Sequence, residues 1–202
     1  MQSDTHKCIF IHIPKCAGTT IRNTLQPLIN GHASHSHQLA SSYDKPELKN
    51  YFRFSFVRNP WDRFVSAFLY LKAGGARTHF NGSDWDDEII EVLKIDQSKN
   101  FADWVSSEST VQEAKERGQH FRAQSVYLDA PVDFIGRFES LSEDFEVLCN
   151  KINLGKISLP HKNKTKQNCR RQPYYNYYTS SSQSLIEELY KDDIENFGYK
   201  FK

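Results

Sequence analysis

The chain reads as a three-layer α/β domain with a mainly parallel central sheet flanked by helices, and three features carry that reading. The stretch IFIHIPKCAGTT at residues 9–20 sets an apolar strand, a Pro-Lys loop, a glycine and two hydroxyls directly before a helix. A second stretch, FRFSFVRNPWDRFVSAF at residues 52–68, alternates Phe52, Phe54 and Phe56 as a buried strand does. It then breaks at Asn59-Pro60, where proline can open a helix at its first position. Strand and helix patterns go on alternating towards the C-terminus with no internal repeat and no linker long enough to part domains, so a single domain over residues 1–202 is expected.

In order along the chain, the apolar run predicts a strand over residues 7–13 and a helix over 19–28, followed by a His-rich loop over 30–37. The second strand falls near 53–57 and its helix at 61–72, with Phe64, Val65 and Phe68 on one face. A Gly-rich, acidic loop runs through Asp87, and helical patterns occupy 88–93 and 101–116. Pro131 opens a further strand over 132–138. The helix after it, 139–150, is apolar at Leu141, Phe145 and Leu148, and residues 182–196 form an amphipathic tail helix.

The first loop has the composition of a phosphate cradle. A helix N-terminus carries N–H groups without intrahelical partners and a partial positive charge, so anions settle there. Gly18 allows close approach to the backbone, Thr19 and Thr20 add hydroxyls, and Lys15 brings a mobile charge. Lys15 precedes the glycine and no GxxxxGK[ST] string exists, which departs from the nucleoside-triphosphate loop. Arg58 stands at the C-terminal end of the second strand, the edge where open parallel sheets bind ligands. Ser66 follows on the helix after it, so the two could grip one anion. An ordinary strand-turn-helix junction, with Arg58 and Arg63 paired to carboxylates such as Asp62, would show some of the same local pattern.

Together the two stretches resemble the sulfotransferases that use 3'-phosphoadenosine 5'-phosphosulfate (PAPS), in the carbohydrate branch of sulfotransferase family 2. The resemblance continues through HFRAQSVYL at 120–128, VDFIGRFESLSEDF at 132–145, LPHKNKT at 159–165 and the ending DDIENFGYKF. It implies a P-loop-like fold in which PKxxGTT holds the 5'-phosphosulfate, through Lys15, Cys16, Ala17, Gly18, Thr19 and Thr20. It also implies that Arg58 and Ser66 hold the 3'-phosphate, with Lys162 and Lys164 of the basic loop near the same donor. Related uronyl sulfotransferases place a His-x-His pair after the first helix, and the second His is the base. By that resemblance His37 is the first choice for the base and His35 the second, with His32 in the same loop as a third histidine.

With 26 basic and 25 acidic residues the chain is almost neutral, which argues against a nucleic-acid partner. Residues 151–171 are nevertheless basic without an Asp or Glu, which suits a phosphate or a polyanionic acceptor as well as a solvated loop. No run approaches the roughly 18 apolar residues of a membrane span, and MQSDTHK lacks the apolar core of a signal peptide, so no stable membrane insertion is expected. Cys8, Cys16, Cys149 and Cys169 have no CxxC spacing and suit reduced thiols; no metal site is expected. A cytoplasmic, bacterial-type enzyme follows. The alternative is an excised luminal Golgi domain, because animal members of the resembled family are anchored there.

Sulfuryl transfer needs an activated hydroxyl, in-line approach and stabilisation of charge on the departing phosphate oxygen. Lys15 and the loop amides suit the last need, and a histidine suits the first. A carbohydrate acceptor is expected from the resemblance, with Trp85, Trp104 and the aromatic run 174–178 as candidate stacking surfaces. His120, with Arg122 and Gln124, could line the acceptor side, whereas His12, inside the first strand, reads as a core histidine. Two other classes fit parts of the pattern: a P-loop kinase-like phosphotransferase, and a nucleotide- or carbohydrate-binding protein without catalysis.

Overall fold

A computed structural model describes residues 1–32, 37–75, 84–159 and 172–202. The fold is α/β, and the chain divides into two compact units, each discontinuous in sequence: residues 1–58 with 124–163, and residues 59–123 with 164–202.

The first unit is built on a four-stranded sheet in the order β1-β2-β3-β4. Strand β1 (Gln2–Ser3) pairs antiparallel with β2 (Cys8–Ile11). Strands β3 (Phe52–Val57) and β4 (Phe134–Arg137) continue the sheet in parallel, with Phe10 opposite Phe54 and Val57 opposite Arg137. β2 is buried at all four positions, which is why it reads as an unbroken apolar run rather than an alternating one. Helix α1 (Gly18–Leu25) buries Ile21 and Leu25, one turn apart.

The second unit begins with helix α2 (Pro60–Lys72). Proline stands at its first turn, and the Asn59 side chain accepts from the Trp61 and Asp62 amides, so the NPWD sequence stops one strand and caps the next helix in a single step. Around it lie α3 (Asp84–Val92), α4 (Phe101–Val105) and α5 (Glu108–Arg117). Their core is aromatic: Phe64 and Phe68 of α2 pack against Phe101 and Trp104, and Phe64 also meets Phe121. Each such ring contact adds about 0.5–1.5 kcal/mol beyond area burial.

The chain then returns to the first unit with the short helix α6 (Gln124–Tyr127), followed by β4 and α7 (Leu141–Lys151). α7 buries Leu141, Phe145, Leu148 and Cys149. Asp144 of its first turn accepts from the Arg137 amide at 2.6 Å and fastens the helix start to the end of β4. Helices α8 (Ser180–Leu189) and α9 (Lys191–Phe197) complete the second unit.

The expected elements are present with shifted limits. β2 stops at Ile11 because His12 and Ile13 leave the ladder for the loop. The helix expected over 101–116 is two helices, because Ser107 turns its hydroxyl to the Thr110 amide and starts α5 afresh. The tail helix begins at Ser180 on a Thr179–Ser182 capping box and breaks at Tyr190. β1 and α6 are too short to leave a periodic signal.

Burial raises the Cys8 and Cys149 thiols to about 11. Both are therefore protonated at pH 8 in the folded protein, and iodoacetamide at that pH is expected to leave them unmodified until urea unfolds the chain, as read by mass spectrometry. A thiol raised in this way favours the folded state below its unfolded value near 9, and that contribution is lost as pH rises towards 11. Thermal midpoints should accordingly fall across this window.

Candidate active site

Three parallel strands end side by side, and the residue after each carries the site: His12 after β2, Arg58 after β3 and Phe138 after β4. In register, Val57 lies opposite Arg137, so Arg58 and Phe138 follow level with each other, while Ile11 lies opposite Ser55, so β2 ends two residues earlier and its chain runs on beside the end of β3 as the loop. The buried Ser55 hydroxyl donates to the Ile11 carbonyl at 2.8 Å, pinning the strand end from which the loop departs.

The loop from His12 to Ala17 then makes two left-handed residues out of side chains that disfavour them, Lys15 at φ 67° and Ala17 at φ 61°. Such backbone costs about 1–3 kcal/mol per residue and persists where neighbours over-determine it. Here the neighbours are visible. The Arg58 guanidinium donates to the Lys15 carbonyl at 3.0 Å and lies 3.9 Å over the Phe138 ring. The Arg58 backbone is in turn clamped by Gln124: its amide donates to Oε1 at 2.8 Å, and Nε2 donates back to its carbonyl at 2.9 Å. The Cys16 thiol donates to the same Oε1 at 3.3 Å. Gln124 is fully buried, so one amide side chain joins the cradle loop to the end of β3.

Ala17 is the N-cap of α1 and no side chain caps that helix. The amides of Gly18, Thr19 and Thr20 thus open the helix in the manner suited to an anion. Thr19 is exposed, Lys15, Ala17 and Thr20 are half-buried, and Cys16 is buried.

Gly18 also answers a packing need. Its φ is not left-handed, and a Cβ built on it would fall inside the His12 imidazole. The glycine makes room for a neighbouring side chain, rather than for a ligand on that side. His12 is likewise no core residue: it is half-buried, stacks on Phe10 with 5.6 Å between ring centroids, and meets the His37 ring edge-on at 4.5 Å.

The histidine loop separates its members. His37 Nδ1 lies 3.0 Å from the His12 carbonyl. A carbonyl only accepts, so Nδ1 carries the proton and Nε2 is the basic nitrogen of neutral His37. His32 instead pairs with Gln2 at the outer edge of the sheet, with its amide donating to the Gln2 carbonyl at 2.7 Å. His35, Lys162 and Lys164 lie outside the described residues.

Other expected positions sort differently. Ser66 belongs to the second unit and is half-buried on α2. His120 also belongs there, with Nε2 3.0 Å from Asp86, whose other oxygen accepts from the Tyr70 hydroxyl at 3.1 Å. The Arg122 carbonyl accepts from the Arg63 guanidinium, and Gln124 has the clamp role above. Trp104 is no stacking surface: it is buried, with Nε1 donating to the Leu93 carbonyl at 2.8 Å. The side chain of Trp85 lies outside the described residues. Tyr178 is half-buried and donates to the Trp61 carbonyl at 2.9 Å, while Tyr174 and Tyr178 both pack on Phe201. Among the described residues no group of three His, Cys, Asp or Glu side chains is placed to hold a metal ion. Sequence reasoning missed the clamp role of Gln124 and the contacts of Phe138, for which a lone Gln and a lone Phe give no signal.

The model of a family described as the sulfotransferase family matches residues 1–200. Carbohydrate sulfotransferase 11 of Rattus norvegicus is 23% identical over 231 aligned positions, covering 97% of this chain and 65% of that protein. Carbohydrate sulfotransferase 12 of Xenopus laevis is 27% identical over 176 positions, covering 77% of this chain and 41% of that protein. The chain therefore spans less than two thirds of the length of these relatives. No solved structure matches it significantly.

Two substitutions test this geometry. Gly18→Ala should cost about 1–3 kcal/mol in urea unfolding through overlap with His12, and the second change His12→Ala should recover most of the loss. Gln124→Leu removes the side chain that meets the Arg58 amide and carbonyl, and should cost about 1–3 kcal/mol by the same measurement.

Proposed function

The chain belongs to the sulfotransferase family, and on that premise we propose that it moves a sulfuryl group from PAPS to a hydroxyl of a carbohydrate acceptor, with His37 as general base. The observation that carries the reading is the loop itself: an uncapped helix start behind two left-handed residues, with the His37 base tautomer set beside it. The names of the relatives in rat and Xenopus support a carbohydrate as the acceptor.

In the proposed step the acceptor oxygen attacks sulfur as its proton passes to Nε2 of His37. The bond from sulfur to the bridging phosphate oxygen breaks, and its electron pair stays on the departing adenosine 3',5'-bisphosphate. Lys15 and the amides of residues 17–20 are assigned to that developing charge. One well-aimed donor of this kind contributes about 3–4 kcal/mol in other enzymes. Arg58 and Ser66 are assigned to the 3'-phosphate on the family motif, and Lys162 and Lys164 to the donor on the basic loop. His35 is the second candidate for the base. The chemistry is positioning and electrostatics, so no metal is invoked.

No helix among the described residues is long and apolar enough to cross a membrane. Vertebrate carbohydrate sulfotransferases as relatives weigh against the cytoplasmic, bacterial-type expectation, and we place the luminal alternative ahead of it. A single domain over residues 1–202 remains part of the proposal.

Calorimetry without metal tests the reading: adenosine 3',5'-bisphosphate should bind in preference to 5'-AMP, and ATP with magnesium should not replace it. Preference for magnesium-ATP would favour a phosphotransferase, and indifference to all three a protein without this chemistry. Against a carbohydrate acceptor panel with PAPS, Lys15→Ala should abolish measurable turnover. Arg58→Ala should chiefly weaken binding of the bisphosphate. His37→Ala should lower kcat by about 100- to 10,000-fold with bisphosphate affinity retained.

A further inference from the structure

The Phe54, Phe10 and His12 rings form a ladder on one face of the sheet. Phe54 stacks on Phe10 at 5.2 Å and Phe10 on His12 at 5.6 Å, each pair within 15° of parallel. Phe10 and His12 share a face because they stand two residues apart, and Phe54 is the cross-strand partner of Phe10. Both phenylalanines are essentially inaccessible to solvent, so the core fixes the plane of the His12 ring. That ring fills the space over Gly18, the first residue of α1, and presents itself to the edge of the His37 ring at 68°. The His12 carbonyl meanwhile accepts from His37 Nδ1. One residue thus touches both the helix start and the histidine whose Nε2 is basic.

We propose that His12 is a positioning residue: its imidazole is a rigid spacer that sets the distance and orientation of the His37 base relative to the anion cradle of α1. The inference rests on the reading of His37 as base. The carbonyl hydrogen bond fixes the direction of Nδ1, and the ring contact bears on rotation about that direction. A flat ring suits the position because it stacks on Phe10 on one face and leaves room for an α-hydrogen, but no Cβ, at residue 18. The spacer needs the ring and not its nitrogens, which separates this role from proton transfer by His12.

¹³C relaxation of the His37 ring, with long-range ¹H–¹⁵N correlation spectra beside it, tests the proposal without an acceptor. In the unsubstituted protein the His37 ring should be rigid and show one tautomer, with Nδ1 protonated. His12→Ala keeps the carbonyl and so the tautomer, but the order parameter of the His37 Cε1–Hε1 bond should fall, while calorimetry finds the affinity for adenosine 3',5'-bisphosphate unchanged. His12→Phe, which puts a flat ring back, should restore the rigid His37 ring. An unchanged His37 order parameter in His12→Ala would overturn the spacer, and so would a failure of His12→Phe to restore it in a folded protein. Loss of both folding stability and bisphosphate affinity in His12→Ala, with the mobility of the His37 ring unchanged, would reduce His12 to a packing residue. Failure of the base reading is a separate result, seen as unchanged turnover in His37→Ala whatever the spectra of the His12 variants.

Discussion

The hydrogen bond from the Arg58 guanidinium to the Lys15 carbonyl joins the end of one strand to a loop that would not hold its shape alone. Two non-glycine residues of that loop sit in the left-handed region, and the cost of this backbone must be met by contacts around it. Arg58 can supply one because its planar fork is itself fixed, by the Phe138 face beneath it and by Gln124 at its backbone. The start of α1, to which anion binding is proposed, follows directly from that loop.

Gln124 shows how a buried polar side chain can replace a strand. Its amide pairs with the Arg58 N–H and carbonyl as a neighbouring backbone would, continuing the ladder one residue past Val57. The third contact, from the Cys16 thiol, ties this continuation to the loop. A buried amide with unmet donors or acceptors is costly, so the arrangement favours one conformation over near alternatives. The same economy is seen at Asn59, whose side chain caps α2 while donating to the Lys200 carbonyl at 3.0 Å.

The histidine side of the site is organised by geometry of a different kind. His37 takes its tautomer from a backbone carbonyl, and its ring orientation from a stack of aromatic rings that begins in the core of the first unit. A loop side chain held for the role proposed for His37 needs such support, because loop residues otherwise sample many orientations. The proposed cradle and the proposed base are therefore not independent modules. His12 belongs to both, by its carbonyl and ring towards His37 and by its contact with Gly18.

Much of this was legible in the sequence, because its information is local. The run CIFI, the alternation of FRFSF, the Asn-Pro break and the Leu141, Phe145, Leu148 spacing each fix an element through hydrophobic period and backbone chemistry. The order of strand, PKCAGTT loop and helix likewise places an uncapped helix start after the first parallel strand, as the structure has it. Side-chain partnership across the fold was not legible. Gln124 lies 66 residues from Arg58 and 108 from Cys16, and no periodicity links them. His12 looked like a core residue by its place in an apolar run, and Trp104 like a surface one by its chemistry. Only the parallel register, which sets the ends of β3 and β4 level, decided that Arg58 and Phe138 stack, and only the packing of the loop after β2 brought His12 against His37. Local sequence determines which elements form and which end can bind an anion. Which side chains meet there is a property of the tertiary packing, because it depends on residues the chain separates by half its length.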